Sequence, residues 1–202
     1  PIKDMKVLLS DINHIKAFSL TVMLMISGFS VIPYLSPYMV SNVGLTNAQL
    51  PYIYFFGGLA TLFTARFTGK LADRYGKLKL FVIMAITSIV PVLIITNLAT
   101  TPLATVIVIT TFFMICNSGR MIPAMAMVTG SVKPENRGSF MSINSSIQNM
   151  GSALAALLSG IIITQTPTGQ LQHYNTVGIV STVSTIICIY LATRLRYDDS
   201  LP

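Results

Sequence analysis

Between Phe67 and Leu80 the chain reads Thr68-Gly69-Lys70-Leu71-Ala72-Asp73-Arg74-Tyr75-Gly76-Lys77-Leu78-Lys79, so four basic residues, one carboxylate and two glycines fall within twelve positions. Apolar runs stand on both sides, Leu50 to Phe67 and Leu78 to Thr96. Glycine lets a helix stop and the chain reverse, and clustered Lys and Arg hold a loop at an anionic membrane surface. The stretch therefore reads as a basic loop joining two membrane-spanning helices on the same side of a bilayer.

Outward from that loop the same pattern repeats. Apolar runs bounded by Gly, Pro, Asn and charge predict six spans: Ala17 to Val40, Leu50 to Phe67, Leu78 to Thr96, Pro102 to Val128, Ser139 to Thr164 and Thr176 to Leu195. Each comes close to the roughly 20 residues that cross a hydrocarbon core. Of the 202 residues 52% are hydrophobic and 9% charged, against roughly 25% charged in a soluble domain; a globule in water would be short of surface charge. Secreted, nucleic-acid-binding and soluble-enzyme readings are excluded on that ground. The expected fold is all-α, a compact bundle of six transmembrane helices.

The positions of the basic residues orient the bundle. With a cytoplasmic N-terminus, Lys3, Lys6, Lys16, Arg66, Lys70, Arg74, Lys77, Lys79, Lys133, Arg137, Arg194 and Arg196 all lie on the inner side, twelve of the thirteen. The outer connections, 41–49, 97–101 and 165–175, contain none. Both termini are expected to be cytoplasmic, because Lys and Arg remain on that side. Residues 1–16 form a lead-in, in which Met5, Leu8, Leu9, Ile12 and Ile15 have the spacing of an amphipathic helix lying on the inner surface. Residues 17–195 are the bundle and 196–202 a cytoplasmic tail. No cleavable signal peptide is expected, and a chain beginning at Pro1 is expected to be part of something longer. Cys116 and Cys188 sit inside apolar runs and read as small buried thiols.

The loop quoted first resembles the signature loop of the major facilitator superfamily, G-x-L-A-D-R-x-G-(R/K)-(R/K). Gly69, Leu71, Ala72, Asp73, Arg74, Gly76 and Lys77 match, and the second basic position is displaced to Lys79. The turn Pro134-Glu135-Asn136-Arg137-Gly138 is similar to the P-E-x-R-G turn of the same superfamily. The segments from Gly119 to Ala126 and from Asn136 to Ser146 look like the C-terminal half of bacterial drug and sugar efflux members. The resemblance implies half of a twelve-helix fold, built as two inverted three-helix repeats. It further implies that Asp73 latches the cytoplasmic ends of the two halves, a role it shares with the loop residues Gly69, Arg74, Gly76 and Lys77; Glu135 and Arg137 can pair with that loop or remain a hydrated surface pair. The G-x-x-x-G-P-x-x-G-G run of many drug/proton antiporters is absent from Gly151 to Gly160, which speaks against drug antiport. A four-residue echo, Thr68-Gly69-Lys70-Leu71 and Thr168-Gly169-Gln170-Leu171, is compatible with a repeat offset of 100.

In the superfamily the first helix of each three-helix unit lines the cavity, here the first and fourth spans. The first carries Ser30, Pro33, Tyr34, Pro37 and Tyr38, and the fourth Asn117, Ser118 and Arg120. Polar groups and prolines are tolerated at membrane depth only where protein or a water cavity satisfies them. Arg120 is the one charge deep in a span, about 12 to 15 Å from the cytoplasmic end at the helical rise. Such a residue marks a functional site by default; binding an anionic solute, pairing with a carboxylate in another half, and bonding backbone carbonyls all stay open. Asn144 and Gln148 of the fifth span offer neutral hydrogen bonds, as solute ligands or as interhelical packing. Arg120, Asn117, Tyr34, Tyr38, Ser30, Gln148 and Asn144 are thus the candidate substrate-binding residues.

The expected function is secondary active transport of a small solute by alternating access, with efflux the expected direction. The expected location is the inner (plasma) membrane, and the partner an N-terminal six-helix half or a second copy of this chain. The alternative is a membrane scaffold or sensor reusing the fold. No catalytic residue, metal, cofactor or nucleic acid is implied: H-E-x-x-H, G-x-S-x-G, a phosphate-binding glycine loop and an intramembrane carboxylate pair are all missing from the sequence. Since no span contains Asp or Glu, a proton carrier has to lie in another half, or transport is uncoupled.

Overall fold

A computed structural model describes residues 10–198. The first span is two helices, α1 (Ile12–Phe29) and α2 (Ile32–Ser41), followed by α3 (Leu50–Tyr75), α4 (Lys77–Thr96), α5 (Leu103–Gly130), α6 (Arg137–Ile162) and α7 (Tyr174–Arg194). A 3-10 turn over Pro134–Asn136 leads into α6. Between α6 and α7 a small antiparallel hairpin pairs β1 (Thr164–Gln165) with β2 (Leu171–Gln172).

The basic loop is nearly all helix, a correction to the reading above. α3 continues two turns past Phe67 to Tyr75, and α4 starts at Lys77, so the reversal rests on Gly76 alone, at φ 91°. A left-handed φ of that kind strains any residue with a Cβ. Gly69 lies inside α3 because one internal glycine costs a helix only about 1 kcal/mol, and its charged neighbours are good helix formers.

The lead-in also differs from expectation. Met5, Leu8 and Leu9 lie outside the described residues. From Ile12 the chain already belongs to α1, capped by Asp11, whose side chain accepts the Asn13 N–H at 2.7 Å. Asn13 then ties this turn to the far end of the chain, donating to the Arg196 carbonyl at 2.7 Å and accepting from the Arg196 N–H at 2.9 Å. His14 packs its ring against Phe140. This turn is docked on the bundle, because its polar groups find protein partners there.

The interruption between α1 and α2 has a covalent origin. Pro33 has no N–H to offer the Phe29 carbonyl four residues back, and its ring crowds that carbonyl. Hydroxyls of other helices take up carbonyls around the break: Ser159 donates to Ser30 O at 2.7 Å, Tyr174 to Val31 O at 2.9 Å, and Ser181 to Ser27 O.

Packing follows a two-fold rule. The first span packs against α6 and α7, while α5 packs against α3 and α4; α4 and α7 meet each other, and α1 touches α5 only lightly. Exchanging helices one, two and three for four, five and six maps this pattern onto itself, as expected of two inverted three-helix repeats. Each unit's first helix is packed against the other unit. The echo at offset 100 carries none of this, since Thr68 to Leu71 are helical and Thr168 to Leu171 form the hairpin turn and the start of β2.

α4 and α7 therefore close the back of the bundle. The front is formed by α1/α2 and α5, with α3 and α6 as wings. The first span, α4, α5 and α7 are each long and apolar enough to cross a membrane by composition. α3 and α6 are 26 residues each, but α3 holds the charges of its last turns and α6 a run of Ser and Asn.

A candidate solute-facing wall and its buried polar centre

Arg120 occupies the middle of the bundle, 1% exposed. Its guanidinium reaches Asn117 Oδ1 at 2.7 Å, Thr185 Oγ1 at 3.1 Å and Ser88 Oγ at 3.5 Å, so it joins α5, α7 and α4. The fit against α1 is close: a Cβ on Gly28 would come to 3.1 Å from Asn117 Oδ1 and 3.4 Å from Arg120 Nη2. Its Nε has no hydrogen-bond partner among the described residues, and no carboxylate pairs with it there. A cation enclosed this way turns its donors inward, away from the front.

A second polar contact lies between α1, α5 and α6. Asn144 is fully buried and accepts the Thr21 hydroxyl at 2.8 Å, while the half-buried Gln148 directs its amide at the Met125 sulfur at 3.1 Å. At the charge-poor end, Tyr38 donates to the Leu98 carbonyl at 3.0 Å and its ring lies 4.5 Å from that of Tyr174. Asn42 grips the hairpin there, donating to Leu171 O and accepting from Leu171 N, both at 2.9 Å. Tyr34 is half-buried over Gly160, and Ser36 and Tyr54 pair their hydroxyls between α2 and α3.

The seven candidate residues accordingly do not converge on one site. Arg120, Asn144, Ser30 and Tyr38 are buried inside the bundle, whereas Asn117, Gln148 and Tyr34 are half-buried on helices that border the front. Arg120, Asn144 and Tyr38 are enclosed with partners on neighbouring elements, as polar side chains at membrane depth require, whereas the Ser30 hydroxyl is buried with no hydrogen-bond partner among the described residues. Thr185, Ser88, Ser181 and Tyr174 were missing from the sequence reading, which has Ser159 only as one of the small residues that let the fifth span pack closely. The run Ser181 to Thr185, with hydroxyls inside an apolar span, was the signal for α7.

The front has a chemistry of its own on α6. Ser142, Ser145, Ser146, Asn149, Ala153 and Gly160 are exposed along one side, while Met150, Leu154, Leu157 and Ile161 are exposed along another. One helix thus offers a small polar side and a bulky apolar side, and lipid satisfies only the second.

At the basic end, Asp73 is exposed and has no hydrogen bond or ion pair among the described residues, while Arg74 lies over the Tyr75 ring at 5.4 Å. Glu135 is exposed too, and of the two arrangements left open for Glu135 and Arg137, pairing with the signature turn is not seen among the described residues. Arg137 keeps two guanidinium nitrogens, Nε and Nη2, buried without a partner there. Lys77 is buried, 4% exposed, under the Gly76 turn. Among the described residues no three His, Cys, Asp or Glu side chains gather as a metal site would need.

Two comparisons bear on this arrangement. The sequence profile described as Major Facilitator Superfamily matches residues 17–202. The uncharacterized MFS-type transporter YbcL of Bacillus subtilis (strain 168) is 23% identical over 168 residues, which is 82% of this chain and 42% of that protein. The chain spans less than half the length of the relative it matches.

Proposed function

The chain belongs to the major facilitator superfamily, and we propose that it supplies the C-terminal six-helix half of a carrier that exports a small solute across the cytoplasmic membrane by alternating access. Both termini are cytoplasmic in this reading, and the wall of the path is the front made by α1/α2, α3, α5 and α6. Ser142, Ser145 and Asn149 on the exposed polar side of α6 are the observation that carries it. The Ser145 hydroxyl donates to the Met141 carbonyl of its own helix at 2.9 Å, but the Ser142 hydroxyl and the Asn149 amide have no partner among the described residues and at membrane depth need water or a second protein surface, which a path between two halves provides.

Within that wall Asn117, Gln148 and Tyr34 are the solute contacts, and Met121 and Met125 beside them give a surface that adapts its shape. Arg120 is a positioning residue, holding Asn117 at the border of the front. Asp73, exposed and without a partner among the described residues, serves as the latch to a partner beyond this half. The partner is an N-terminal six-helix half or a second copy of this chain.

The test uses the full-length protein with cysteine at position 145 or 149, in inverted and right-side-out vesicles. A water-soluble maleimide is expected to label Ser145→Cys and Asn149→Cys, and purified protein in liposomes to show solute flux. Labelling confined to a membrane-permeant reagent, with no flux for any solute in a broad panel, would overturn the reading.

A further inference from the structure

α3 has two unlike sides. Tyr54 turns toward α2, where it meets Ser36. At 100° per residue, Arg66 and Lys70 are rotated from Tyr54 by about 120° and 160°. There they line an open groove of about 580 Å³ together with Leu59, Leu62, Phe63 and Phe67. A second groove, about 460 Å³, shares Leu59 and Phe63 and crosses to Ile107, Val108 and Phe112 of α5, with an almost wholly apolar lining. Both cations are exposed, and neither makes a hydrogen bond or ion pair among the described residues.

Depth adds a constraint. Counted from Leu50 at about 1.5 Å per residue, Arg66 lies roughly 24 Å and Lys70 roughly 30 Å along α3, where a hydrocarbon core of about 30 Å gives way to headgroups. One helical turn separates the two cations, so both donor heads can reach one phosphate. An apolar trough leads from them back toward the bilayer centre.

We propose that this α3 face seats an anionic phospholipid, its phosphate held between Arg66 and Lys70 and an acyl chain lying on Leu59 and Phe63 into the α3–α5 trough. Charge complementarity selects the headgroup, and the apolar trough selects a lipid over a free phosphate. The seat depends on insertion in a membrane and not on which solute, if any, is carried.

Native mass spectrometry of the full-length protein in mild detergent tests it, with phosphatidylglycerol and phosphatidylcholine of identical chains. Retention of phosphatidylglycerol is expected to exceed that of phosphatidylcholine by about thirtyfold, the order that two basic residues at the surface supply. Arg66→Gln with Lys70→Gln removes the preference, whereas Lys79→Gln with Lys133→Gln, also exposed at the basic end, leaves it in place. Undiminished preference in the first variant, an equal loss in the second, or competition by glycerol 3-phosphate would each overturn the proposal. A readout independent of the charge variants comes from Phe63→Trp in full-length protein from which any tryptophan outside these 202 residues has been removed, these residues having none of their own. Its fluorescence is expected to be quenched more by brominated-chain phosphatidylglycerol than by brominated-chain phosphatidylcholine, and equal quenching would overturn the seat.

Discussion

Arg120 shows how little a residue's identity says about the direction in which it acts. A guanidinium at membrane depth is costly, and that cost is offset here by Asn117, Thr185 and Ser88 instead of by a solute. A buried polar cluster tolerates apolar replacement when all its members are replaced together, whereas removing one member leaves the others unsatisfied. Arg120→Met is therefore expected to lower stability against thermal unfolding in detergent by about 1–3 kcal/mol, and to lower flux by about tenfold, or about 1.4 kcal/mol of barrier, because Asn117 loses the donor that orients it. Arg120→Lys should restore only part of the flux, since one ammonium cannot reproduce the planar fork. Full flux in Arg120→Met would remove Arg120 from the working of the wall.

The break between α1 and α2 is the element whose form the whole bundle decides. Proline opens it, but the hydroxyls of Ser159, Ser181 and Tyr174 hold the carbonyls around it. Tyr174→Phe keeps the ring stack on Tyr38 and leaves the Val31 carbonyl buried without its donor, at an expected cost of about 1–3 kcal/mol. Pro33→Ala is expected to change stability by less than about 1 kcal/mol, since the break stays tied from α6 and α7. Thermal unfolding of the two variants in the same detergent checks the order; a larger loss for Pro33→Ala would mean that proline alone sets the break.

At the scale of the molecule, each three-helix unit is completed by the other, because the first span lies against α6 and α7 and α5 against α3 and α4. Among the described residues, what stays uncovered is the front, with its polar strip on α6, and the basic end, where Asp73 is exposed without a partner. If Asp73 latches the half to a partner, Asp73→Asn in the full-length protein removes that contact. Cysteines placed on the front at the basic end should then react faster with a water-soluble maleimide, by about 2- to 5-fold for a contact of roughly 0.5–1 kcal/mol. Identical rates in both proteins would leave Asp73 a solvated charge.

Hydropathy, charge placement and the signature segment together determined the class, the number of spans and the family. These depend on composition and local order, which a bilayer constrains strongly: a helix must be long enough to cross, and basic residues stay on one side. The same local order misjudged the basic turn, where only Gly76 interrupts the helix, and the lead-in, where Asn13 and His14 dock on the bundle. The proposed wall of the path was beyond local reading. Asn144 and Arg120 look like candidate solute ligands in the sequence, and tertiary packing turned both inward, because a polar group at membrane depth is satisfied by whichever helix lies beside it. Which helix that is depends on contacts more than 30 residues apart, as between Arg120 and Ser88 or Thr185, and only the folded bundle specifies them.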